Sequence, residues 1–294
     1  RKALGLKPAP VRIYDPVQQL AVIDNDVLDT LGIDTVELGR AFATEDSDWR
    51  PWVLPDGTDC FLPNWVNPER EEKRWVIRSE SGRIIAQMPD GAQFFEQLWY
   101  PFYDEGSDRS DINAAMDESM WHMVVSPPGP LVEGDKGEKL LKESAARFRR
   151  STDRAIIGLF GGNLLETGQM LYRNDQFLLM LAMDPPAIHD FLDRLLEIHL
   201  GNLERFLGAV GNNIDIILFG DDLGMQSGPQ MSPEMYREYF KPRHKIMWAK
   251  AKELADVKVM LHCCGGVREL LPDLIDAGLD TINPVQITAR GMEP

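Results

Sequence analysis

The sequence predicts an α/β fold of the (β/α)8-barrel type, and three observations carry that expectation. From about residue 136 onward, short apolar runs alternate with long amphipathic stretches, the pattern of βαβ units around a parallel sheet. Glycines and polar residues collect directly after each apolar run, as at the carboxyl ends of barrel strands, where active sites are built. The 294 residues, 44% of them hydrophobic, suffice for one barrel-sized core. An open doubly wound sheet would also bind ligands at its strand ends, but no G-x-G-x-x-G follows an early strand.

Taken in order, residues 17–31 (VQQLAVIDNDVLDTL) space their apolar positions in a near-helical way, and the following IDTVEL reads as a short strand. Residues 49–103 change texture. Turn signals PDG and SGR separate stretches such as WVIRS and RIIAQM, and five of the seven tryptophans fall between Trp49 and Trp99. This reads as a β-rich, hairpin-containing N-terminal insertion at about 49–103 within a single domain spanning 1–294. WHMVVS around His122 reads as a buried strand. Helices are expected at 136–151, 170–182, 185–209, 232–255 and 267–277, with Asp184 before Pro185 and Ser232 before Pro233 as cap and first-turn proline. Strands are expected at 155–160, 214–219, 257–261 and 281–285.

The formal charge of −16, from 47 acidic and 31 basic residues, argues against nucleic acid or an anionic membrane as a partner. Arg147, Arg149 and Arg150 lie among helix-like residues and read as a solvated face. No run reaches the roughly 18 apolar residues of a membrane span, and no signal-peptide core is visible, so a cytoplasmic location is expected. Cys263 and Cys264 are sequence neighbours; their Cα atoms, about 3.8 Å apart, are closer than the roughly 4.4 Å that ordinary disulfides need. A reducing compartment or a metal-binding use follows. Nucleophile elbows and Walker loops are absent from the sequence.

Four strand ends hold the candidate chemistry. VKVML runs into HCCGG, and strand alternation puts His262 and Cys264 on one face with Cys263 on the other. A histidine and a cysteine two residues apart can reach one tetrahedral Zn2+, or the histidine can bond a carbonyl while the cysteine fills core. In FGDDLGMQSG, Asp221 and Asp222 can bind a cation, orient a ligand or act as acid and base. Equally, one Asp can cap a helix while the other is solvated. Gly220 allows close backbone approach, and Gln226 is a softer candidate. FGGNLLE supplies Gly161, Gly162, Asn163 and Glu166; the glycines either clear space for a ligand or serve a tight turn. Asn283 and Gln286 flank Pro284 as hydrogen-bonding amides. His189, His199 and His244 fall within helix patterns and read as packing or surface residues.

Together, YDPVQQLA, LPDGTDCFLPNW, FGDDLGMQSGPQMSPEMY and LHCCGGVRELLPDLIDAGLDTINPVQ resemble the uroporphyrinogen decarboxylase superfamily, and within it the cobalamin-dependent methyltransferase and O-demethylase branch. The resemblance implies a TIM-type barrel and a zinc site made by a His-x-Cys pair plus a later cysteine. His262 and Cys264 match the pair, whereas no later cysteine occurs before Pro294. Because the family barrel continues for further strands, either this one is incomplete at its C-terminus, as expected for the fold, or its metal site is altered. The implied function is a zinc-dependent methyltransferase moving a methyl group between a small substrate, a methoxylated aromatic or a thiol, and a corrinoid on a partner carrier protein. Asp221, Asp222 and Glu166 are then the catalytic candidates, and Gly161, Asn163, Gln226, Asn283 and Gln286 the substrate-binding ones.

Two alternatives stand beside it. One is decarboxylation of a tetrapyrrole or another carboxylated small molecule, although residues 1–20 offer only Arg1 and Arg12 where that branch carries an arginine-rich motif. The other is a non-catalytic subunit that docks a corrinoid protein. A homo-oligomer is compatible with each. Strand parity makes a first prediction: Cys264→Ala abolishes zinc binding and Cys263→Ala does not, as elemental analysis of the two purified variants will show.

Overall fold

A computed structural model of the chain describes residues 1–104, 106–124 and 134–294. It divides into two compact units, Arg1–Leu140 and Leu141–Pro294.

The first unit is built from short antiparallel pairs. Strand β1 (Ile13–Asp15) pairs with β2 (Leu20–Ala21), a helix at Asn25–Leu31 follows, and β3 (Thr35–Glu37) is a short strand. The helical spacing read over 17–31 is thus realised only in its second half. Asp15 accounts for the difference, because its buried carboxylate accepts the amides of Val17 and Gln18 and turns the chain before a helix can begin. Next, β4 (Trp49–Val53) pairs with β5 (Asp59–Pro63). A four-stranded meander follows: β6 (Glu69–Glu71), β7 (Arg74–Arg78), β8 (Ile84–Pro89) and β9 (Glu96–Gln97). Gly57 and Gly82, in the PDG and SGR turns, take φ of 87° and 85°, a region glycine enters without a Cβ clash. Val66, Ile77, Ile85, Ala86 and Met88 form one core of this unit, and Trp52 meets Trp75 edge-on at 4.5 Å. The expected strand at WHMVVS is instead a short helix, Met120–Val124, and the end of that motif lies outside the described residues. The valine pair suggested strand, but the segment continues directly from a capped helix at Ile112–Asp117.

In the second unit the strands follow the helix Gly134–Arg149, most of which belongs to that unit. Its strands β10 (Ala155–Gly161), β11 (Ile216–Gly220), β14 (Lys258–His262) and β15 (Thr281–Asn283) lie side by side in that order, all parallel. Two minor strands, β12 (Gly224–Met225) and β13 (Gly228–Pro229), form a small ribbon after β11. Helices separate the parallel strands, giving the βαβ grammar of a TIM-type barrel over part of its circumference. The first crossing uses three helices, Leu165–Tyr172, Asn174–Met183 and Pro185–Val210. In the longest, the buried positions Ile188, Leu192, Leu195, His199, Leu203, Leu207 and Val210 recur at helical spacing. Asp184 caps it by accepting the Ala187 amide. The second crossing starts where Ser232 accepts the Met235 amide, passes through a π turn at Tyr236–Phe240, and continues as the helix Lys241–Leu254. The last is the short helix Leu271–Ala277. The pattern read over 170–182 conceals a break at Arg173, whose φ of 72° separates two helices.

One face of the sheet is buried: Ile156 on β10, Ile217 and Phe219 on β11, Val259 and Leu261 on β14. They pack with side chains such as Trp248, whose ring meets Phe219 at 6.4 Å. The alternate residues Leu218, Gly220, Met260 and His262 are only partly covered. The register aligns Leu218 with Met260, Gly220 with His262, and His262 with Asn283, so the carboxyl ends of three strands finish level.

Above that level the backbones almost touch. A Cβ built on Gly265, whose φ is 87°, would lie 2.4 Å from the carbonyl carbon of Gly224. Gly265→Ala combines a left-handed backbone with a backbone collision and should cost about 2 kcal/mol or more. Urea unfolding will measure that loss; an unchanged midpoint would show that the two loops separate freely.

Candidate functional site

The residues after β11 and β14 inherit the parity of their strands. Phe219 and Asp221 are buried, while Gly220 and Asp222 are partly open; Leu261 and Cys263 are buried, while His262 and Cys264 are partly open. Because Gly220 is level with His262, continuing both strands two residues brings Asp222 level with Cys264. The Cys264 amide donates to Asp222 Oδ1 at 2.7 Å. His262 Nε2 lies 3.5 Å from Cys264 Sγ and 3.9 Å from Asp222 Oδ1. Among the described residues these three side chains form the group able to hold a metal ion, with ligand atoms within 4.8 Å of one another.

The surroundings hold this arrangement in place. Asn283 Oδ1 pairs with His262 Nδ1 at 3.2 Å, which leaves Nε2 facing the sulfur and the carboxylate. Gln286 Oε1 accepts the Gly265 amide at 2.8 Å, fixing the loop after Cys264. Gln230 Nε2 donates to the Asp222 carbonyl oxygen, and its Oε1 accepts from Gln169. Asn283 and Gln286, read from sequence as substrate-binding amides, are therefore bonded to His262 and to the loop. Gln230 and Gln169 had no recognisable signal in the sequence.

Cys263 points away and is fully buried; its sulfur accepts the Leu223 amide at 3.2 Å, and burial pushes its thiol up to about 12. Burial also raises Cys264, reinforced by the carboxylates of Asp222 and Glu166. A cation at this site would reverse that preference, since a coordinated thiol is held as thiolate.

Asp221 is fully buried and does something different from its neighbour. Its carboxylate accepts the amides of Leu164 and Leu165 on Oδ2 and of Glu166 on Oδ1, at 3.2, 3.0 and 3.0 Å. Those are the orphan donors at the start of the helix Leu165–Tyr172, whose own N-cap position, Leu164, has no side-chain acceptor. Hydrogen bonds to a charged group contribute about 1.5–3 kcal/mol each, so this remote cap fixes the turn after β10. His244, buried in the helix Lys241–Leu254, places Nε2 3.4 Å from Asp221 Oδ2 and stacks on Trp248 at 4.8 Å. His199 reaches the Asn163 carbonyl oxygen from the longest helix at 3.0 Å. Both histidines read as packing residues in sequence; His199 braces this turn directly, and His244 packs beside the carboxylate that caps it.

The turn presents Asn163 and Glu166. Asn163 Nδ2 donates to Glu166 Oε2 at 2.6 Å. The space its amide occupies is one that a side chain at Gly220 would fill: a Cβ there would lie 2.5 Å from Asn163 Nδ2. Gly161 and Gly162 take φ of 84° and 66°, so the turn itself requires them. Burial, with Asp221 and Asp222 close by, pushes the Glu166 carboxyl up to about 8. Gln226 is exposed, and its backbone carbonyl accepts the Arg290 amide.

Residues 130–286 match the uroporphyrinogen decarboxylase (URO-D) family. More than half of the chain is covered, and the protein belongs to this family. A solved methyltransferase from Methanosarcina mazei is similar at 20% identity and a TM-score of 0.44, over 65% of this chain and 50% of that one. The chain therefore spans half the length of that neighbour. No curated protein matches it by sequence. Among the described residues, no helix is long and apolar enough to cross a membrane.

The raised Glu166 carboxyl makes stability pH-dependent. An unfolded chain releases this proton near the ordinary glutamate value of about 4.3, whereas the folded one keeps it up to about 8. The folded state then binds more protons between those values, and its stability falls as pH rises through the window. Glu166→Gln should remove this contribution: in metal-free protein, urea unfolding at pH 5 and pH 8 will show the wild type losing more stability than the variant. Identical losses would rule out the raised carboxyl.

Proposed function

We propose that this protein is a zinc-dependent methyltransferase that moves a methyl group between a small substrate and a corrinoid on a partner protein. The observation carrying the reading is the convergence of His262 Nε2 and Cys264 Sγ at 3.5 Å. Zn–S and Zn–N bonds of about 2.3 and 2.05 Å at a tetrahedral angle put two ligand atoms about 3.6 Å apart, so the pair fits a zinc ion. The motifs FGDDLG and HCCGG, which resemble the methyltransferase branch, supply the second support.

In this reading His262 and Cys264 hold the metal, and Asn283 keeps the imidazole turned so that Nε2 faces it. Bound zinc supplies Lewis acidity to the oxygen or sulfur atom that gives up or receives the methyl group. Asp221 positions the Asn163–Glu166 turn without touching the substrate. Burial raises the Glu166 carboxyl, and in its acid form it can protonate an oxygen losing its methyl group. Gln226 and the loop glycines border the small-substrate site.

Decarboxylation of a polycarboxylated substrate is disfavoured by charge. Such a substrate calls for cations, and the strand ends present the carboxylate of Asp222 instead.

Methylcobalamin with a panel of small thiols and methoxylated aromatics tests the reading, followed by the change in corrinoid absorbance. Zinc-dependent turnover is expected, and His262→Ala should lower it by on the order of 100-fold or more. Absence of zinc-dependent methyl transfer across the panel would reject the proposal, and carbon dioxide release from a carboxylated substrate without zinc would favour decarboxylation.

A further inference from the structure

Catalytic zinc sites usually have three protein ligands and one open position, and His262 with Cys264 supplies two. We infer that Asp222 is the third protein ligand, so that the metal sits among one imidazole nitrogen, one thiolate sulfur and one carboxylate oxygen. The inference rests on the metal-dependent reading above.

Position comes first. The β11–β14 register sets Gly220 level with His262, and Asp222 and Cys264 follow at the next residue of the same parity. Asp222 Oδ1 lies 3.9 Å from His262 Nε2, against the edge of about 3.3 Å that Zn–N and Zn–O bonds would give. Asp222 is partly open, with 34% of its side chain exposed.

Capacity comes second. The carboxylate accepts the Cys264 amide on Oδ1, and an ionised carboxylate has about four lone-pair positions, so this bond orients Asp222 without exhausting it. Its main-chain carbonyl is held by Gln230 Nε2. Asn283 on His262 Nδ1 completes the kind of outer support that metal-binding histidines carry. Asp221 cannot take the same role, because it is fully buried and its oxygens accept three amides.

Charge comes third. One dication offsets one thiolate and one carboxylate, giving a neutral centre built from these residues. With imidazole and thiolate among the donors, zinc is the metal class that fits.

The test is metal binding by the full chain, stripped of metal and then titrated with Zn(II) against a chromophoric chelator. Wild type should bind one zinc, and Asp222→Asn should weaken it by more than about 100-fold, beyond the 10–100-fold range of Asn283→Ala as an outer partner. Asparagine retains an oxygen able to accept the Cys264 amide, so a purely orienting Asp222 would leave affinity within about tenfold of wild type; that result overturns the inference while sparing the zinc reading. Failure of the wild type to bind zinc overturns the zinc reading itself. Circular dichroism of the metal-free variants checks folding. Should Asp222→Asn not fold, X-ray absorption on zinc-loaded wild type decides: one sulfur with nitrogen and oxygen neighbours supports the site, and two sulfurs reject it.

Discussion

The register between β11 and β14 is the constraint on which the site depends. Parallel strands place residues of equal height side by side, and side chains of equal parity on the same face. Once Gly220 stands opposite His262, Asp222 must stand beside Cys264, while Asp221 and Cys263 must point into the packed side. A slip of one residue would exchange the two sets, burying His262 and exposing Cys263. Phe219, Val259 and Leu261, all fully buried or nearly so, prevent that slip because it would turn them toward the open face. Hydrophobic packing on one side of the sheet thereby sets the chemistry on the other.

A second layer converts that register into a shaped mouth. Asp221, turned inward by parity, meets the amides at the start of a helix more than fifty residues earlier in the chain. Burying a carboxylate is costly unless its lone pairs are satisfied; here three amides do so. The same bonds hold the turn that carries Asn163 and Glu166. Adjacent aspartates thus divide the labour: one stabilises the scaffold, the other faces the pair that could hold a metal.

Much of the second unit was legible in the sequence. The four strand runs, the Asp184–Pro185 and Ser232–Pro233 helix starts, and the separation of Cys263 from its neighbours follow from local periodicity and capping chemistry, which are properties of a few consecutive residues. Misreadings occurred where a single side chain, backbone angle or adjoining segment overrode the hydrophobic period. Asp15 diverts residues 17–24 from helix, a positive φ at Arg173 divides one helical pattern into two, and WHMV extends a helical segment in spite of its valine. Asp221 and Asp222 remained equivalent because alternation was applied to one strand end and its consequence at the other required a known register.

By itself, the sequence determined the barrel-type α/β grammar, the glycine-rich strand ends, and the parity that sets His262 and Cys264 apart from Cys263. Hydrophobic period and turn chemistry act over short distances, so they survive in a linear string. Only the tertiary structure decided which aspartate faces that pair, that His199 braces the turn after β10 while His244 packs beside Asp221, and that Asn283 holds His262 rather than standing free. Each of those relations joins segments twenty or more residues apart, and the order of strands in a sheet is not written in the spacing of any one of them.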